Sequence, residues 1–420
     1  MSEKRKPFVV MVKPAGSACN LACSYCYYLK KNTGSISPCP TVMEDDILEE
    51  FIKQYIEASP GPIVSFTWHG GEPALCGLDF YKKAVEYQKK YLPEGFSCWN
   101  SLQTNGVLLN DEWCKFLAEN NFDVGLSIDG AKWIHDTYRK DLGGFGTYDR
   151  VFETALRLKK YGIMPDLLCT VTSDSAKEPL AVYRALKNIG SGWVQFIPIV
   201  RFDENGNVTP DSVGAKEYGE FLCKIFDEWV INDLGKTDVQ FFAESARALS
   251  GADVSLCTMA ETCGRVLIIE RDGGVYSCDH FVDSEHYLGN IKTSSLEELI
   301  DSKFQEDFGK NKKENLPKKC LSCKARVICS GGCPKDRFVK TDEENKDIYY
   351  LCEGIERFFN YAEKPLLKIM EFKKNKVSPE NMRAFFLKIA KEAWKGVTRN
   401  DPCPCGSGKK AKNCCWNNRP

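Results

Sequence analysis

Long hydrophobic runs are lacking in this chain of 420 residues, and no apolar stretch approaches the length of a membrane-spanning helix. The first apolar run, Phe8 to Val12, ends at Lys13 and Pro14 and is too short for the core of a signal peptide. We therefore expect a cytoplasmic protein without a membrane partner. The length allows two or three domains.

An excess of charge of one sign is also lacking. The 57 Lys and Arg residues nearly balance the 58 Asp and Glu residues, which leaves a formal net charge of -1. Nucleic acids and anionic membranes attract proteins through an excess of positive charge. The composition therefore gives no electrostatic reason to expect either of them as the main partner.

Cysteine, in contrast, is plentiful, with 21 residues. Thiols stay reduced in the cytoplasm, so metal binding or catalysis is a better explanation for them than a disulfide framework. They form three dense groups, at residues 19–26, 257–352 and 403–415. We interpret six cysteines between these groups as ordinary small apolar residues: Cys39, Cys76, Cys98, Cys114, Cys169 and Cys223.

The first half of the chain alternates short apolar runs with longer amphipathic stretches, which is typical of βα units around a parallel sheet. The predicted strands are Phe8–Val12, Ile63–Trp68, Ser97–Thr104, Asp123–Ile128, Met164–Val171 and Trp193–Val200. The predicted helices are Glu44–Glu57, Leu78–Tyr91, Asp111–Glu119, Tyr148–Tyr161, Pro179–Asn188 and Ala215–Leu234. This pattern predicts a partial (β/α)6 barrel, TIM-like, with its chemistry at the C-terminal ends of the strands.

The first cysteine group, Cys19, Cys23 and Cys26, directly follows the first predicted strand. An iron-sulfur cubane normally takes four thiolates, so three cysteines leave one iron free for a ligand that is not protein. A structural zinc knuckle is the alternative, but it needs four ligands. The nearest candidate for a fourth ligand, Cys39, lies beyond a loop rich in Gly, Ser and Pro.

Three further motifs follow predicted strands and should lie on the same rim. They are Gly70-Gly71-Glu72-Pro73, Thr104-Asn105-Gly106 and Ser127-Ile128-Asp129-Gly130. Taken singly, each is as consistent with an ordinary turn as with a binding site. Glycines let a backbone approach a ligand closely, and Glu72 can accept a hydrogen bond from an ammonium group.

Together with the cysteine triad, these motifs resemble the signature of radical S-adenosylmethionine (SAM) enzymes. The resemblance implies that the free iron of a 4Fe-4S cluster binds SAM, which is cleaved to a 5′-deoxyadenosyl radical. It places Gly70, Gly71 and Glu72 at the methionyl group and Ser127 at the ribose. Further expected contacts are the Tyr25 backbone and an apolar wall at Ile199 and Val200 for the adenine, and Arg139 for the SAM carboxylate. The alternative for Arg139 is a solvated surface charge.

The second cysteine group begins after Gly251, where the alternation of helices and strands stops. Cys257 and Cys263 precede a predicted hairpin whose turn contains Asp272-Gly273, and Cys278 follows it. The remaining cysteines of the group are Cys320, Cys323, Cys329, Cys333 and Cys352. Eight thiols make two sets of four, and residue types alone allow zinc or iron-sulfur clusters.

This spacing resembles the SPASM extension of peptide-modifying radical SAM enzymes, which carries two auxiliary 4Fe-4S clusters. The resemblance gives one cluster the ligands Cys257, Cys263, Cys278 and Cys333, and the other Cys320, Cys323, Cys329 and Cys352.

The pair Cys278-Asp279, followed by Leu288-Gly289-Asn290-Ile291, is similar to the anaerobic sulfatase-maturating enzymes. That similarity implies that Asp279 is the base that deprotonates the substrate side chain, and that Tyr28 and His69 contact substrate. The alternative for Asp279 is a turn cap. We interpret His135 and Asp136 as surface residues.

The third cysteine group, Cys403, Cys405, Cys414 and Cys415, lies in a tail with too little apolar material to fold unaided. Metal binding would supply its folding free energy. The tail resembles the SEC-C zinc motif and implies a docking module for a protein partner. A Lys-rich stretch with an amphipathic helix, Pro379–Trp394, precedes it and is predicted to be a tether.

We therefore expect an α/β protein with a radical SAM partial barrel (1–250), a SPASM domain (251–365), a helical tether (366–398) and a SEC-C zinc motif (399–420). The expected reaction converts a Cys or Ser in an unfolded sulfatase polypeptide to Cα-formylglycine. It would use SAM, three 4Fe-4S clusters and electrons from a ferredoxin or flavodoxin, with zinc in the tail. Alternatives are another SPASM peptide modifier (thioether-forming or peptide-oxidising), an iron-sulfur electron carrier and a zinc adaptor.

Overall fold

The computed structural model describes residues 6–28, 42–343 and 346–419. Cys39 lies outside these residues. Within them, no helix is long and apolar enough to cross a membrane.

Six parallel strands form the centre of the molecule, and each bound agrees with the prediction to within two residues. The strands are β1 (Val9–Lys13), β2 (Ile63–Trp68), β3 (Ser97–Thr104), β4 (Phe122–Ser127), β5 (Asp166–Val171) and β6 (Trp193–Pro198). They are neighbours in chain order and every pair is parallel. The predicted α/β partial barrel is therefore confirmed.

Helices connect these strands and cover the sheet because each buries one apolar face. They are α1 (Asp45–Ala58), α2 (Leu78–Tyr91), α3 (Asp111–Glu119), α4 (Lys132–Tyr138), α5 (Tyr148–Lys160), α6 (Pro179–Ile189), α7 (Ala215–Asn232) and, after a two-residue strand β7 (Asp238–Val239), α8 (Gln240–Leu249). Two of the shorter helices, α4 and α8, were not predicted from the sequence. Three of the scattered cysteines are buried apolar residues, as predicted: Cys114, Cys169 and Cys223.

The sheet does not end with the barrel, although the alternating pattern stops after Gly251. Strand β8 (Val266–Glu270) pairs with β1 in parallel, with Lys13 opposite Glu270. Strands β9 (Gly274–Tyr276) and β10 (Tyr287–Asn290) continue the sheet in antiparallel order. The predicted hairpin is confirmed, and its register attaches the second cysteine group to the edge of the barrel.

Shorter elements follow the hairpin. They are α9 (Leu296–Ile300), α10 (Lys303–Glu314), α11 (Lys318–Leu321), α12 (Arg326–Cys329), β11 (Arg337–Val339) and β12 (Ile348–Tyr349). Two of them, α11 and α12, contain Cys320 and Cys329.

The long helix α13 (Cys352–Lys374) packs directly on α7 of the barrel. A Cβ atom on Gly219 would lie 2.7 Å from Gly354 Cα, and a Cβ on Gly354 would lie 2.1 Å from the Ala215 carbonyl oxygen. Only glycines allow two helix backbones to approach so closely. The predicted domain boundary at residue 365 falls inside α13, so the segment that follows continues a packed helix. Helix α14 (Pro379–Ala393) matches the predicted amphipathic helix.

Candidate active site

The cysteine triad lies on the loop after β1, where Cys23 is buried and Cys19 and Cys26 are half-buried. Backbone hydrogen bonds fix this loop to the segment after α4: Ala22 N–H donates to Lys140 O over 2.8 Å, and Ser24 N–H donates to Tyr138 O over 3.0 Å. Burial raises the pKa of Cys19 to about 12 and that of Cys23 to about 11. These thiols are therefore protonated until a metal cluster replaces their protons.

Gly70 and Gly71 bring the loop after β2 against the cysteine loop. A Cβ on Gly71 would lie 2.2 Å from the Ala18 carbonyl oxygen, and one on Gly70, whose φ is +116°, would lie 2.6 Å from the Gly16 carbonyl oxygen. The two glycines are thus required to let the loops touch, whatever ligand they also approach.

Glu72 is fully buried and joins three segments of the rim. Its carboxylate accepts hydrogen bonds from Thr104 Oγ1 (2.8 Å), Asn105 N (2.8 Å) and Ala74 N (3.0 Å). Burial raises its pKa to about 7. Three protein donors thus take three of the roughly four acceptor positions of the carboxylate, and the expected ammonium contact would use the remaining one.

Asn105, to which the sequence gave no role of its own, points towards the triad. Its Nδ2 donates to Asn20 Oδ1 over 2.8 Å and lies 3.6 Å from Cys19 Sγ. The Leu21 N–H lies 3.4 Å from the same sulfur. N–H groups directed at a ligand sulfur tune the reduction potential of an iron-sulfur cluster.

Arg139 lies in a buried ion pair, so its interpretation as a solvated surface charge is wrong. Its Nε and Nη2 donate to Asp129 Oδ2 and Oδ1 over 2.9 and 3.2 Å. Tyr25 OH donates to the same carboxylate over 2.5 Å, and Thr170 N over 2.9 Å. Burial alone would raise the pKa of Asp129, but the Arg139 guanidinium outweighs it and lowers the pKa. Tyr25, beside Cys26, is thereby held in place.

The interpretation of His135 as a surface residue is also wrong, because its side chain is fully buried. Its Nδ1 accepts from Asp129 N over 3.2 Å, and its Nε2 lies 2.9 Å from Thr147 Oγ1. Burial lowers its pKa to about 4, so the ring is neutral. Asp136 is half-buried, and its Oδ1 accepts from Tyr148 N at the start of α5.

The two remaining expected SAM contacts, Ser127 and Val200, lie at the ends of β4 and β6. Ser127 Oγ accepts from Gln103 Nε2 over 3.1 Å. Val200 is buried, and its neighbour Ile199 packs against the apolar residues that surround the triad. An apolar wall therefore lies beside the triad, formed more by Ile199 than by Val200.

The structure brings Asp279, Tyr28 and His69 together. Tyr28 OH donates to Asp279 Oδ1 over 3.0 Å and lies 3.3 Å from His69 Nδ1. Tyr27 OH donates to the other carboxylate oxygen of Asp279. The carboxylate thus lies against the loop that carries the triad, although it is more than 250 positions away in the sequence.

Lys13, which has no role in the sequence-based predictions, lies beside Asp279. It is fully buried at the end of β1, with Nζ 2.5 Å from Asp279 Oδ1, 3.3 Å from Glu270 Oε1 and 4.8 Å from the centre of the Tyr28 ring. Burial alone would raise the pKa of Asp279, but the charges of Lys13 and His69 outweigh it and hold that pKa well below its usual range. A lysine at the end of a buried parallel strand was the available signal, because a buried charge needs a partner.

The eight thiols of the second group form two neighbourhoods. Cys257 and Cys263 act on the pKa of Cys278, which burial raises to about 11, and Cys278 acts on Cys333. In the other neighbourhood, Cys320, Cys323 and Cys352 act on the pKa of Cys329, which burial raises to about 12. The assignment of these thiols to two ligand sets stays a prediction.

The four tail thiols are packed much more tightly. The sulfur atoms of Cys403, Cys405, Cys414 and Cys415 all lie within 4.8 Å of one another. Zinc-sulfur bonds of about 2.3 Å in a tetrahedron place sulfur atoms roughly 3.8 Å apart. No other group of His, Cys, Asp or Glu in the described ranges is this compact. The tail thiols therefore have the spacing of a single-ion site.

Comparison with known proteins agrees with this geometry. Residues 14–178 match the Radical SAM superfamily, residues 257–324 the iron-sulfur cluster-binding SPASM domain, and residues 399–417 the SEC-C motif. These domains imply 4Fe-4S clusters and SAM.

Two relatives match most of the chain. The serine-type anaerobic sulfatase-maturating enzyme of Bacteroides thetaiotaomicron is 41% identical over 403 residues, 92% of this chain and 96% of the relative. The cysteine-type anaerobic sulfatase-maturating enzyme of Clostridium perfringens is 34% identical over 367 residues, 86% of this chain and 98% of the relative.

Solved structures agree as well. Native anSMEcpe with bound AdoMet, which is SAM, and the Cp18Cys peptide has a TM-score of 0.79 at 34% identity, and the match covers 87% of this chain and 99% of that one. Streptococcus suis SuiB bound to S-adenosylmethionine, at 15% identity and a TM-score of 0.59 over 83% of this chain and 78% of SuiB, shares the fold. The chain belongs to the anaerobic sulfatase-maturating enzymes of the radical SAM superfamily.

Proposed function

We propose that this enzyme oxidises a cysteine or serine side chain in a sulfatase polypeptide to Cα-formylglycine. The observation that carries the proposal is the Asp279 carboxylate, which Lys13, Tyr27 and Tyr28 hold against the loop of the cysteine triad. Both serine-type and cysteine-type enzymes are among the relatives, so the family relationship supports the reaction and leaves both target residues open.

The triad residues Cys19, Cys23 and Cys26 would hold the first 4Fe-4S cluster. When bound, this cluster and SAM supply the radical that removes a hydrogen atom from the substrate Cβ. Gly70 and Gly71 keep side chains out of the loop contact, and Asn105 directs an amide at Cys19. Further residues proposed to contact SAM are Tyr25, Glu72, Ser127, Arg139 and Val200.

Asp279 would take the proton from the substrate hydroxyl or thiol. A general base must be unprotonated before the reaction, and the charge of Lys13 keeps this carboxylate ionised. Tyr28 and His69 lie beside it and would orient the substrate side chain. Removal of one hydrogen atom, one proton and one electron completes a two-electron oxidation of the side chain, which gives the aldehyde directly from serine. From cysteine it gives a thioaldehyde, which water would hydrolyse to the aldehyde with release of hydrogen sulfide.

The electron that leaves the substrate would pass to the auxiliary cysteine sets. We propose two 4Fe-4S clusters there, with the ligands Cys257, Cys263, Cys278 and Cys333, and Cys320, Cys323, Cys329 and Cys352. The position of Asp279 directly after Cys278 supports this, because it places the base beside a cluster ligand. A ferredoxin or flavodoxin would supply the electron that starts each turnover.

The tail would bind one zinc ion through Cys403, Cys405, Cys414 and Cys415 and dock a protein partner. An ion pair between the tail and helix α7 of the barrel supports an ordered tail: Lys409 Nζ lies 2.8 Å from Glu220 Oε2. Metal analysis of the full chain should find about twelve iron atoms and one zinc. Zinc in all the cysteine sets would contradict this assignment.

The decisive experiment incubates the anaerobically reconstituted chain with SAM, a reductant and peptides that contain Cys-x-Pro-x-Arg or Ser-x-Ala-x-Arg. We expect mass spectrometry to show formylglycine in at least one peptide. Turnover of SAM without a change in either peptide would contradict the proposal, and a thioether crosslink would identify a different peptide modifier.

A further inference from the structure

The second auxiliary cysteine set is surrounded by positive charge. Residues 316–329 contain four cationic side chains and no acidic one, in a chain whose net charge is -1. We call these four residues the basic rim, and all are exposed: Lys318, Lys319, Lys324 and Arg326. The rim is therefore a local feature and not a consequence of the overall composition.

The basic rim lies at the opening to the thiols. Lys319 and Arg326 line a recess together with Cys320, Cys323, Cys329 and Cys352. A protein that docks on the rim would therefore come directly against this cysteine set.

The rim cations are also unpaired, unlike the neighbouring lysines. On α10 and beside it, Lys303, Lys310 and Lys313 each form an ion pair with a carboxylate. Among the residues described, no carboxylate oxygen lies within 4.0 Å of a rim cation. The nearby acidic residues are Glu343, which accepts from the Lys318 backbone N–H, Glu356, which lines the recess, and Glu261, which is paired with Lys313 and whose pKa is lowered first by Lys313 and further by Arg326.

Two large apolar side chains are exposed between the cations. Leu321 is 51% exposed and Val327 is 42% exposed. A small apolar centre ringed by charge is typical of weak interfaces, in which complementary charge steers the encounter and a small contact area lets the partner leave. The segment has no aromatic side chain on which the bases of a nucleic acid could stack.

We propose that the basic rim docks an acidic protein that carries single electrons. The inference rests on the proposed function, because the docking is useful only if the second set holds a cluster. In the step itself, the reduced cluster loses one electron and the oxidised carrier gains it, and no bond to carbon forms or breaks. The electron taken from the substrate would leave the enzyme by this route.

The test uses the full chain with Cys19→Ala, Cys23→Ala and Cys26→Ala, so that only the auxiliary sets hold clusters. The reduced protein, freed of excess reductant, is mixed anaerobically with an oxidised acidic flavodoxin, and the flavin semiquinone is followed by stopped flow. The rim variant is Lys318→Ala/Lys324→Ala. Its matched control is Lys388→Ala/Lys391→Ala, which removes two exposed cations from α14. A small neutral quinone serves as an acceptor that needs no docking.

We expect the bimolecular rate constant of the rim variant to fall about five- to tenfold at low salt, because two steering charges are lost. The loss should disappear at high salt, and the control should behave like the parent protein. Equal rate constants for the rim variant and the control would overturn the proposal. An equal loss with the quinone would also overturn it, since the defect would then lie in the cluster.

This reaction needs neither SAM nor a sulfatase peptide. A chain that fails to modify peptides yet shows the salt-dependent rim effect would reject the proposed function and keep the docking site. A chain that makes formylglycine but shows no rim effect would keep the proposed function and reject the docking site.

Discussion

Two buried carboxylates lie near the cysteine loop, each paired with a cation, and they differ in how accessible the carboxylate is to a ligand. Asp129 is 1% exposed and accepts from four donors, which fill the lone-pair positions of a carboxylate: two from Arg139, one from Tyr25 and one from Thr170. Asp279 is paired with Lys13 across the junction of the barrel and the SPASM hairpin and remains 16% exposed. The first pair is closed, because no lone-pair position of its carboxylate is left for a ligand, and it supports the fold. The second carboxylate accepts from three donors, Lys13, Tyr27 and Tyr28, and is open to a substrate.

The largest effect should come from Asp279→Asn. The amide keeps the shape but cannot take a proton, so formylglycine formation should fall by about 10²–10⁴-fold. Cleavage of SAM to 5′-deoxyadenosine should continue, because the triad is untouched. Both products can be measured in one anaerobic assay, and a fully active variant would remove Asp279 from the mechanism.

Asp129→Asn should instead destabilise the fold. It leaves Arg139 buried without a counter-charge, which costs about 3–5 kcal/mol. The free energy of unfolding of the metal-free chain, measured with denaturant, should fall by this amount. Asp149→Asn, which breaks an exposed ion pair with Lys132, is the matched control and should change little. An equally stable Asp129 variant would contradict the division between the two pairs.

His135, which accepts from the Asp129 backbone N–H, should make the stability of the fold depend on pH. Its pKa in the folded chain is about 4, below the unfolded value of 6.5, so the folded state excludes the proton. Stability is therefore complete above pH 6.5 and should fall by about 3 kcal/mol between pH 6.5 and 4. His135→Gln should flatten this part of the curve of unfolding free energy against pH, and an unchanged slope would show that other groups cause it.

Lys13→Met tests the open pair with a smaller expected effect. Without the ammonium group, Asp279 keeps its hydrogen bonds from Tyr27 and Tyr28 but loses the charge that holds its pKa low. We expect about a 10- to 50-fold loss of formylglycine formation, within the range of one positioned charge. SAM should still be cleaved, so the ratio of 5′-deoxyadenosine to formylglycine should rise. Lys13→Arg, which keeps the positive charge, should restore part of the formylglycine formed for each SAM that is cleaved. A variant that loses both products equally would indicate a purely structural role for Lys13.

The smallest effect on catalysis should come from the tail. Cys405→Ser should release zinc and unfold residues 399–419, because metal binding supplies their folding energy. Formylglycine formation on a peptide should stay within about twofold, since the tail lies outside the candidate site. A large loss of activity would show that the tail takes part in the reaction.

Local sequence patterns predicted the rim and the surroundings of the Asp129–Arg139 pair only in part. Strand ends and glycine motifs placed the triad, Gly70, Gly71 and Ser127 on one rim because parallel strands end at the same edge. The burial of His135 was missed, and a surface position stayed open as the alternative for Arg139, because α4 was not predicted.

The open pair could be predicted from the sequence only through family resemblance. Asp279 was assigned because it follows Cys278, and Tyr28 and His69 because they share the triad's rim. Lys13 was missed because its role depends on the parallel pairing of β8 with β1, a contact between residues more than 250 positions apart. No local periodicity reports such a register.

The central claim, that this chain removes a hydrogen atom from the Cβ of a sulfatase residue, can be tested with one peptide. A Cys-x-Pro-x-Arg or Ser-x-Ala-x-Arg peptide deuterated at the target Cβ is turned over anaerobically with SAM and a reductant. We predict that deuterium appears in 5′-deoxyadenosine together with formylglycine in the peptide. 5′-Deoxyadenosine without deuterium, formed beside an unchanged peptide, would contradict the account.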